Sequence, residues 1–385
     1  MPHLPFFLAS FAWNYGLGVT YIVVPLHAHG LGLSAAEIGL LFSLPVFAQV
    51  ALNLVGGAWS DRVGGRRIML ASCGLLVIAA LGFAAASGFR SLFAAQLLMV
   101  LSRAAFWPAN WSLASELPGE RAVQLARLNA ATNLAQIAGT GSCGFVLALA
   151  GFTPTFLVLA GAGAAALLLG FRVAQAPRPA PAAWPGMLAS YRPLLGMRII
   201  WYAMLCAYVS ALPFTLSMSF YPLLLKHYGY GEEASGALIA LRAVGAICAG
   251  LLAARFVRTG PASRWPIGTG LMVAIGVGLM PAVNHPAAIG ALLLLVGVGS
   301  GVMTLYFQIT MSEASALESR GSALALGGLG WGLSHLTTPL LMGLLTERYG
   351  VVSGYYLLGL LALATVATIA LLRHWAFAQT RLAGT

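Results

Sequence analysis

The chain has 385 residues, of which 60% are hydrophobic and only 8% charged, with a mean hydropathy of +0.89. Soluble domains carry about 25% charged residues, so a chain made mostly of solvated surface is excluded. The formal net charge of +11 would suggest nucleic acid in a soluble protein; here it reads as the arginine bias of membrane-protein loops, and no nucleic-acid partner is expected.

The first apolar run lacks a basic leader and a small-residue cleavage site, so it reads as a helix that stays. A spanning helix needs about 20 mostly apolar residues. Twelve such runs follow one another, at 5–28, 35–59, 67–88, 91–115, 126–149, 153–173, 196–222, 234–256, 264–284, 287–311, 321–346 and 351–373. No alternating strand pattern competes, so the expected fold is an all-α membrane protein. Cys73, Cys143, Cys206 and Cys248 all lie in apolar runs and read as buried thiols without metal or disulfide spacing.

With the N-terminus placed inside, the inner loops hold fifteen of the twenty basic residues and the outer loops three, Arg90, Lys226 and Arg348. That asymmetry supports an even number of spans with both termini cytoplasmic. The prevalence of arginine over lysine points to a bacterium with a GC-rich genome, hence its inner membrane. The proline-rich, basic stretch 174–195 divides residues 1–173 from residues 196–385, six spans from six. The halves share landmarks: Pro25, Gly32, Gly39 and Glu116 recur as Pro222, Gly229, Gly236 and Glu313, each shifted by 197. One constant offset suggests an internal duplication.

Between the second and third spans lies Gly57-x-x-x-Asp61-Arg62-x-Gly64-Gly65-Arg66-Arg67. This loop resembles the G-x-x-x-D-R-x-G-R-R signature of the major facilitator superfamily, with one additional glycine. The resemblance extends over the whole chain through the twelve spans, the central loop and the six-plus-six repeat. It implies two pseudo-symmetric six-helix bundles and a secondary transporter working by rocker-switch alternating access. It also implies that Asp61 sits near the start of the eleventh helix, where a helix N-terminus favours an anion. Arg66 and Arg67 would pair with Glu116, latching the inner side. The plainer alternative is that these charges only fix topology. The corresponding second-half loop, Ala253–Pro266, lacks the aspartate.

None of the nine acids falls at the centre of a span, so no intramembrane carboxylate for proton coupling stands out. Proton or other ion coupling stays open, and no cofactor or metal is expected. Arg103 and Arg242 are the charges inside spans, and each reads either as a cavity cation or as a structural donor to helix carbonyls. In drug-exporting members a helix-four arginine followed by glycine handles protons; Trp107 stands in that glycine's place. In monocarboxylate-type members a helix-eight arginine binds the substrate carboxylate. Two cavity cations would favour an anionic substrate. Further candidates for a small-molecule site are Asn14, Asn110, Tyr208, Gln308 and His335. Asn129, Asn133 and Gln136 share one helix face. The fifth span carries Gly139, Gly141 and Gly144 but lacks the proline of the antiporter motif.

The sequence therefore supports a transporter of a small organic solute, a drug or metabolite exporter. The alternative is a symporter or uniporter of a small organic anion that uses Arg103 and Arg242. A third reading is a membrane receptor, sensor or scaffold that kept the fold without transporting. The chain is expected to be a monomer. No intramembrane enzyme motif is present.

Overall fold

The computed structural model describes residues 3–52, 63–118, 120–174, 191–253, 256–314 and 320–382. They form helices α1 (Leu4–Gly30), α2 (Ala35–Ser43), α3 (Gly65–Ala84), α4 (Phe89–Glu116), α5 (Arg121–Ala150), α6 (Phe152–Gly170), α7 (Tyr191–Leu195), α8 (Arg198–Ser217), α9 (Tyr221–His227), α10 (Glu232–Ala253), α11 (Trp265–Leu279), α12 (Pro286–Ala314) and α13 (Arg320–Leu382). No strand occurs among the described residues.

Ten helical stretches among the described residues are long and apolar enough to cross a membrane. One of them, Leu326–Ala378, runs for 53 residues. At 1.5 Å per residue it would measure about 80 Å, against a hydrocarbon core of about 30 Å. It therefore crosses twice, and it turns at Gly350, whose φ of 81° and ψ of 159° are not helical. With α10 as a further 22-residue helix, the architecture is compatible with twelve crossings. Large apolar side chains left exposed, such as Ile78, Leu134, Leu149, Leu168 and Leu371, face lipid rather than water.

Two departures from the predicted spans have local causes. The run 196–222 is broken after Ser217 and resumes at Tyr221. Pro222 lacks the N–H that would bond the carbonyl of Met218, and its ring clashes there, so the helix restarts. The run 264–284 ends in a 3₁₀ turn at Met280–Ala282, which contains Pro281. Cys73, Cys143 and Cys206 are buried as expected, whereas Cys248 is exposed on its helix.

The chain divides into two compact units, Met1–Ala182 with Met218–Ala240, and Ala183–Ser217 with Leu241–Thr385. The segment 218–240 thus packs with the first unit, although sequence order places it in the second half. Glycines make this possible. A Cβ on Gly144 of α5 would lie 2.2 Å from the Glu232 carbonyl oxygen, and one on Gly236 of α10 would lie 2.8 Å from that of Thr140. The two helices touch backbone to backbone.

Within the first unit α1 packs on α5 and α6, and α3 on α4 and α6. Within the second, α8 packs on α12 and α13, and α11 on the same two helices. The spans of α1 and α8 are 72% and 78% buried, against at most 56% in the others of those ten described stretches, so each is the central helix of its unit.

The 197-residue offset has a structural counterpart. At the end of α1, Leu31, Gly32 and Leu33 donate to the carbonyls of His27, His29 and Ala28. At the end of α9, Tyr228, Gly229 and Tyr230 donate to those of Leu224, Lys226 and Leu225. Every donor and acceptor is displaced by 197 residues, and Gly32 and Gly229 adopt φ of 78° and 81°. Both are left-handed C′ glycines closing a helix, a conformation that L side chains rarely adopt. The match supports duplication at the level of individual hydrogen bonds.

Candidate substrate site

Gly57, Asp61 and Arg62 of the signature loop lie outside the described residues. The part that is described begins at Gly64, whose φ of 92° caps the start of α3. The additional glycine has a packing role: a Cβ on Gly65 would lie 3.0 Å from Leu113 Cγ and 3.2 Å from the Ala109 carbonyl oxygen. This lets α3 start hard against α4. Arg66 donates to the carbonyl of Phe171, just past the C-terminus of α6, where a cation is favoured. Arg67 is exposed. Glu116, at the end of α4, accepts from Ser112 Oγ at 3.3 Å.

In the first unit the polar candidates divide into connected groups. Asn14 is fully buried; its Nδ2 donates to the Ser10 carbonyl at 2.9 Å, and its Oδ1 accepts from Gln136 Nε2 at 2.9 Å. Gln136 Oε1 in turn accepts from the Tyr21 hydroxyl at 3.3 Å. Ser10 Oγ donates to the Phe6 carbonyl at 2.8 Å and lies 3.1 Å from Asn110 Oδ1, which joins α1 to α4. Asn110 Nδ2 is buried without a hydrogen-bond partner. Beside this chain Trp13 stacks on Phe106, with centroids 3.8 Å apart and planes 8° from parallel. The Trp13 indole donates to Ser102 Oγ at 3.2 Å. Asn133 is half-buried and Asn129 exposed, so of the expected α5 stripe only Gln136 enters the α1 network.

Arg103 is 8% exposed. One guanidinium nitrogen donates to Gln49 Oε1, another lies 3.5 Å from Met218 Sδ, and Nε is buried without a hydrogen-bond partner. Both described partners are neutral. A guanidinium offers five donors and cannot shed its proton, so this one carries a full charge and an unused donor.

In the second unit Arg242, 5% exposed, lies over the Phe214 ring at 5.3 Å. Its helix is held by glycines of α12: a Cβ on Gly297 would meet the Arg242 carbonyl oxygen at 2.1 Å. Phe214 is 5.6 Å from both the Trp331 and the His335 rings. Trp331 Nε1 donates to Ser210 Oγ at 3.0 Å. His335 Nδ1 is 2.8 Å from the Trp331 carbonyl, which can only accept, so Nδ1 carries the hydrogen. Thr215 Oγ1 lies 3.4 Å from the same nitrogen. Tyr208 and Thr337 hydroxyls are 3.1 Å apart. Gln308 is exposed on α12.

The structure thus groups Asn14, Gln136 and Asn110 through Ser10 and Tyr21, and groups Arg242 with His335. Reading the sequence missed Gln49, Met218, Ser10 and Phe214. Gln49 carried a signal: an amide inside a predicted span is costly unless it is partnered, the rule that picked out Gln136. Phe214, an aromatic among many, carried none.

The chain matches the family model described as Major Facilitator Superfamily over residues 6–334. It is 26% identical over 340 residues to the 3-(3-hydroxy-phenyl)propionate transporter of Escherichia coli (strain K12), covering 82% of this chain and 79% of that protein. It is 24% identical over 133 residues to the quinolone resistance protein NorA of Staphylococcus aureus, covering 34% of each. Among solved structures, a bacterial homologue of the human lysosomal transporter Spinster superposes with a TM-score of 0.74 at 17% identity, covering 99% of this chain and 96% of that one. A D-xylose-proton symporter superposes with a TM-score of 0.75 at 16% identity, covering 95% and 96%. Model, relatives and fold agree: this chain is an integral, multi-pass membrane protein that belongs to the Major Facilitator Superfamily of transporters and is not an enzyme.

Proposed function

We propose that this protein moves a small organic anion with an aromatic body across the membrane by rocker-switch alternating access, with Arg103 holding the carboxylate. The observation that carries this reading is the buried Arg103 guanidinium with neutral described partners and an unused Nε. A charged side chain at the bilayer centre costs about 2.5–3.5 kcal/mol on insertion scales. A carboxylate accepting two parallel N–H bonds offsets that cost better than an amide and a thioether. The half-buried Trp107, one turn after Arg103 on α4, supplies a flat aromatic ring in the same unit, backed by the buried Phe106. The relative that matches most of this chain transports an aromatic carboxylate, which fits. In the second unit Arg242, with Phe214, Trp331 and His335, offers the same pairing of cation and aromatic rings.

The reading extends to the rest of the molecule. The two halves, 1–173 and 196–385, are joined by the 174–195 linker, with both termini cytoplasmic, in a bacterial inner membrane, as a monomer. The signature loop, with Gly57, Asp61, Arg62, Gly64, Arg66 and Arg67, latches the inner side together with Glu116. One observation supports the latch. Glu313, the second-half counterpart of Glu116, accepts from Thr259 of the α10–α11 loop, the position that the 197-residue offset relates to Arg62. A second reading is export of drug-like compounds, which the partial match to NorA and the arginine on α4 favour.

Binding decides between the two. A ligand of the folded state at a hundred times its Kd stabilises by about 2.7 kcal/mol. Aromatic carboxylates are expected to raise the melting temperature of the purified protein by several degrees, and their methyl esters to leave it unchanged. If cationic drugs stabilise the protein and carboxylates do not, the exporter reading replaces this one.

A further inference from the structure

In the second unit a group of buried hydroxyls lies where α8 begins and α12 ends. Tyr306 of α12 is fully buried, and its hydroxyl has no hydrogen-bond partner. Thr310, one turn later on the same face, is 2% exposed, and its Oγ1 has none either. Threonines elsewhere in these helices, such as Thr269, Thr365 and Thr368, donate to the carbonyl four residues back. Thr310 forgoes that bond, so its hydroxyl is left for another group.

Three helices converge here, since α8 packs on α12 and α13, and α12 touches α13. Tyr202 of α8, also buried, brings its hydroxyl beside that of Tyr306. Ser263 of the α10–α11 loop approaches the same hydroxyl. None of these neighbours completes a hydrogen bond with Tyr306. From the end of α13 the half-buried Arg373 guanidinium acts on the Tyr202 hydroxyl, and its Nε is buried without a hydrogen-bond partner.

Buried polar groups are nearly always hydrogen-bonded, so unused donors gathered at one place call for an acceptor. Charge says which kind. Arginine keeps its proton in proteins, so Arg373 is a permanent cation. No acid is among the described groups that act on Tyr202 and Tyr306. Glu313, one turn past Thr310, accepts instead from Thr259, and no acid follows Glu347 in the sequence.

We propose that Tyr202, Tyr306, Thr310 and Arg373 form a binding site for one small monovalent anion, chloride. Three hydroxyls and a guanidinium N–H donate to it, and its single charge balances that of Arg373. A halide suits the place because it accepts from every direction and needs no donor in return. Tyrosine and threonine side chains that are at most 2% exposed favour a small ion over a bulky one. The site is distinct from Arg103 and Arg242, and it does not depend on the transport reading.

Melting of the purified full-length chain in sodium chloride against sodium gluconate, at one ionic strength, tests it. Chloride is expected to raise the melting temperature by several degrees and to saturate, as binding to the folded state does, with bromide acting alike. Tyr306→Phe and Thr310→Val each remove one donor with little change of shape. Each should weaken the apparent chloride affinity about tenfold, the scale of a hydrogen bond to a charged group. Arg373→Gln should abolish the saturable shift. Arg90→Gln, an exposed arginine of the first unit, should leave it unchanged. The two conservative variants keep the test open if Arg373→Gln fails to fold. Equal melting in the two salts would overturn the proposal. So would a chloride shift that Tyr306→Phe and Thr310→Val keep in full, because the ion would then act elsewhere on the protein.

Discussion

Replacing Arg103 with alanine is expected to weaken binding of an aromatic carboxylate about 100-fold, while the protein still folds and inserts. The size follows from what is removed: truncating one partner of a buried charged pair costs about 2–5 kcal/mol, and each 1.4 kcal/mol is tenfold. Folding survives because the partners left behind are Met218 Sδ, a weak acceptor, and the half-buried Gln49 amide. Arg103→Lys tests geometry rather than charge. An ammonium keeps the charge but cannot present parallel N–H bonds, so most of the loss should remain. Gln49→Leu should cost less, because it removes only the group that orients the guanidinium. Isothermal titration with the carboxylate identified by thermal shift reads all three. Equal affinity in wild type and Arg103→Ala would make Arg103 a structural donor and end its role in the proposal.

Gly139→Ala is expected to destabilise the protein by about 3 kcal/mol or more, and Gly141→Ala, two residues on, not at all. A Cβ on Gly139 would lie 2.1 Å from the Tyr15 carbonyl oxygen and 3.2 Å from Gly18 Cα. The approach is mutual, since a Cβ on Gly18 would lie 2.4 Å from the Gln136 carbonyl oxygen. The colliding atoms are backbone, so no rotamer change relieves them, and overpacking of this kind costs about 1–3 kcal/mol even where side chains can yield. α1 and α5 would have to separate, breaking the Gln136–Asn14 hydrogen bond and uncovering buried amides. Gly141 has nothing within 4 Å of its Cβ position, and alanine is the better helix former by about 1 kcal/mol. The pair should therefore move the melting temperature in opposite directions, and transport should fall only in Gly139→Ala. Similar melting temperatures in the two variants would mean that the α1–α5 crossing is looser than described.

Much of the fold is legible in the sequence, because lipid imposes a single rule: every backbone group must be satisfied within its own helix. Apolar runs of spanning length, the charge asymmetry and the signature loop between the second and third spans lead to the family. What the sequence hides is the local breaking of helices. Pro222 interrupts one run, whereas Pro25, Pro108 and Pro339 sit inside continuous helices. The difference lies in whether neighbouring groups re-satisfy the freed carbonyls, which no single segment reveals. The glycines of α5 were legible as a packing face but not in their individual targets: Gly139 meets α1, Gly144 meets α10, and Gly141 meets nothing.

The site was legible by residue type rather than by grouping. Buried amides and arginines inside spans are costly enough to stand out, so Asn14, Asn110, Gln136, Arg103 and Arg242 could be picked from the sequence. Their partners could not. Ser10, which links Asn14 to Asn110, is a small hydroxyl that satisfies itself on the preceding helical turn in any helix, as it does here on Phe6. Phe214, which joins Arg242 to His335, is one of eighteen phenylalanines. Gln308 and Asn129, chosen by the same rule, are exposed, because polarity inside a span does not say which face a residue takes.

Flux through reconstituted vesicles decides whether this protein carries organic anions. Uptake of a radiolabelled aromatic carboxylate into proteoliposomes is predicted to saturate, to be competed by other aromatic carboxylates but not by their esters, and to vanish with Arg103→Ala. Vesicles that move a cationic dye, ignore the carboxylate and are indifferent to Arg103 would contradict it.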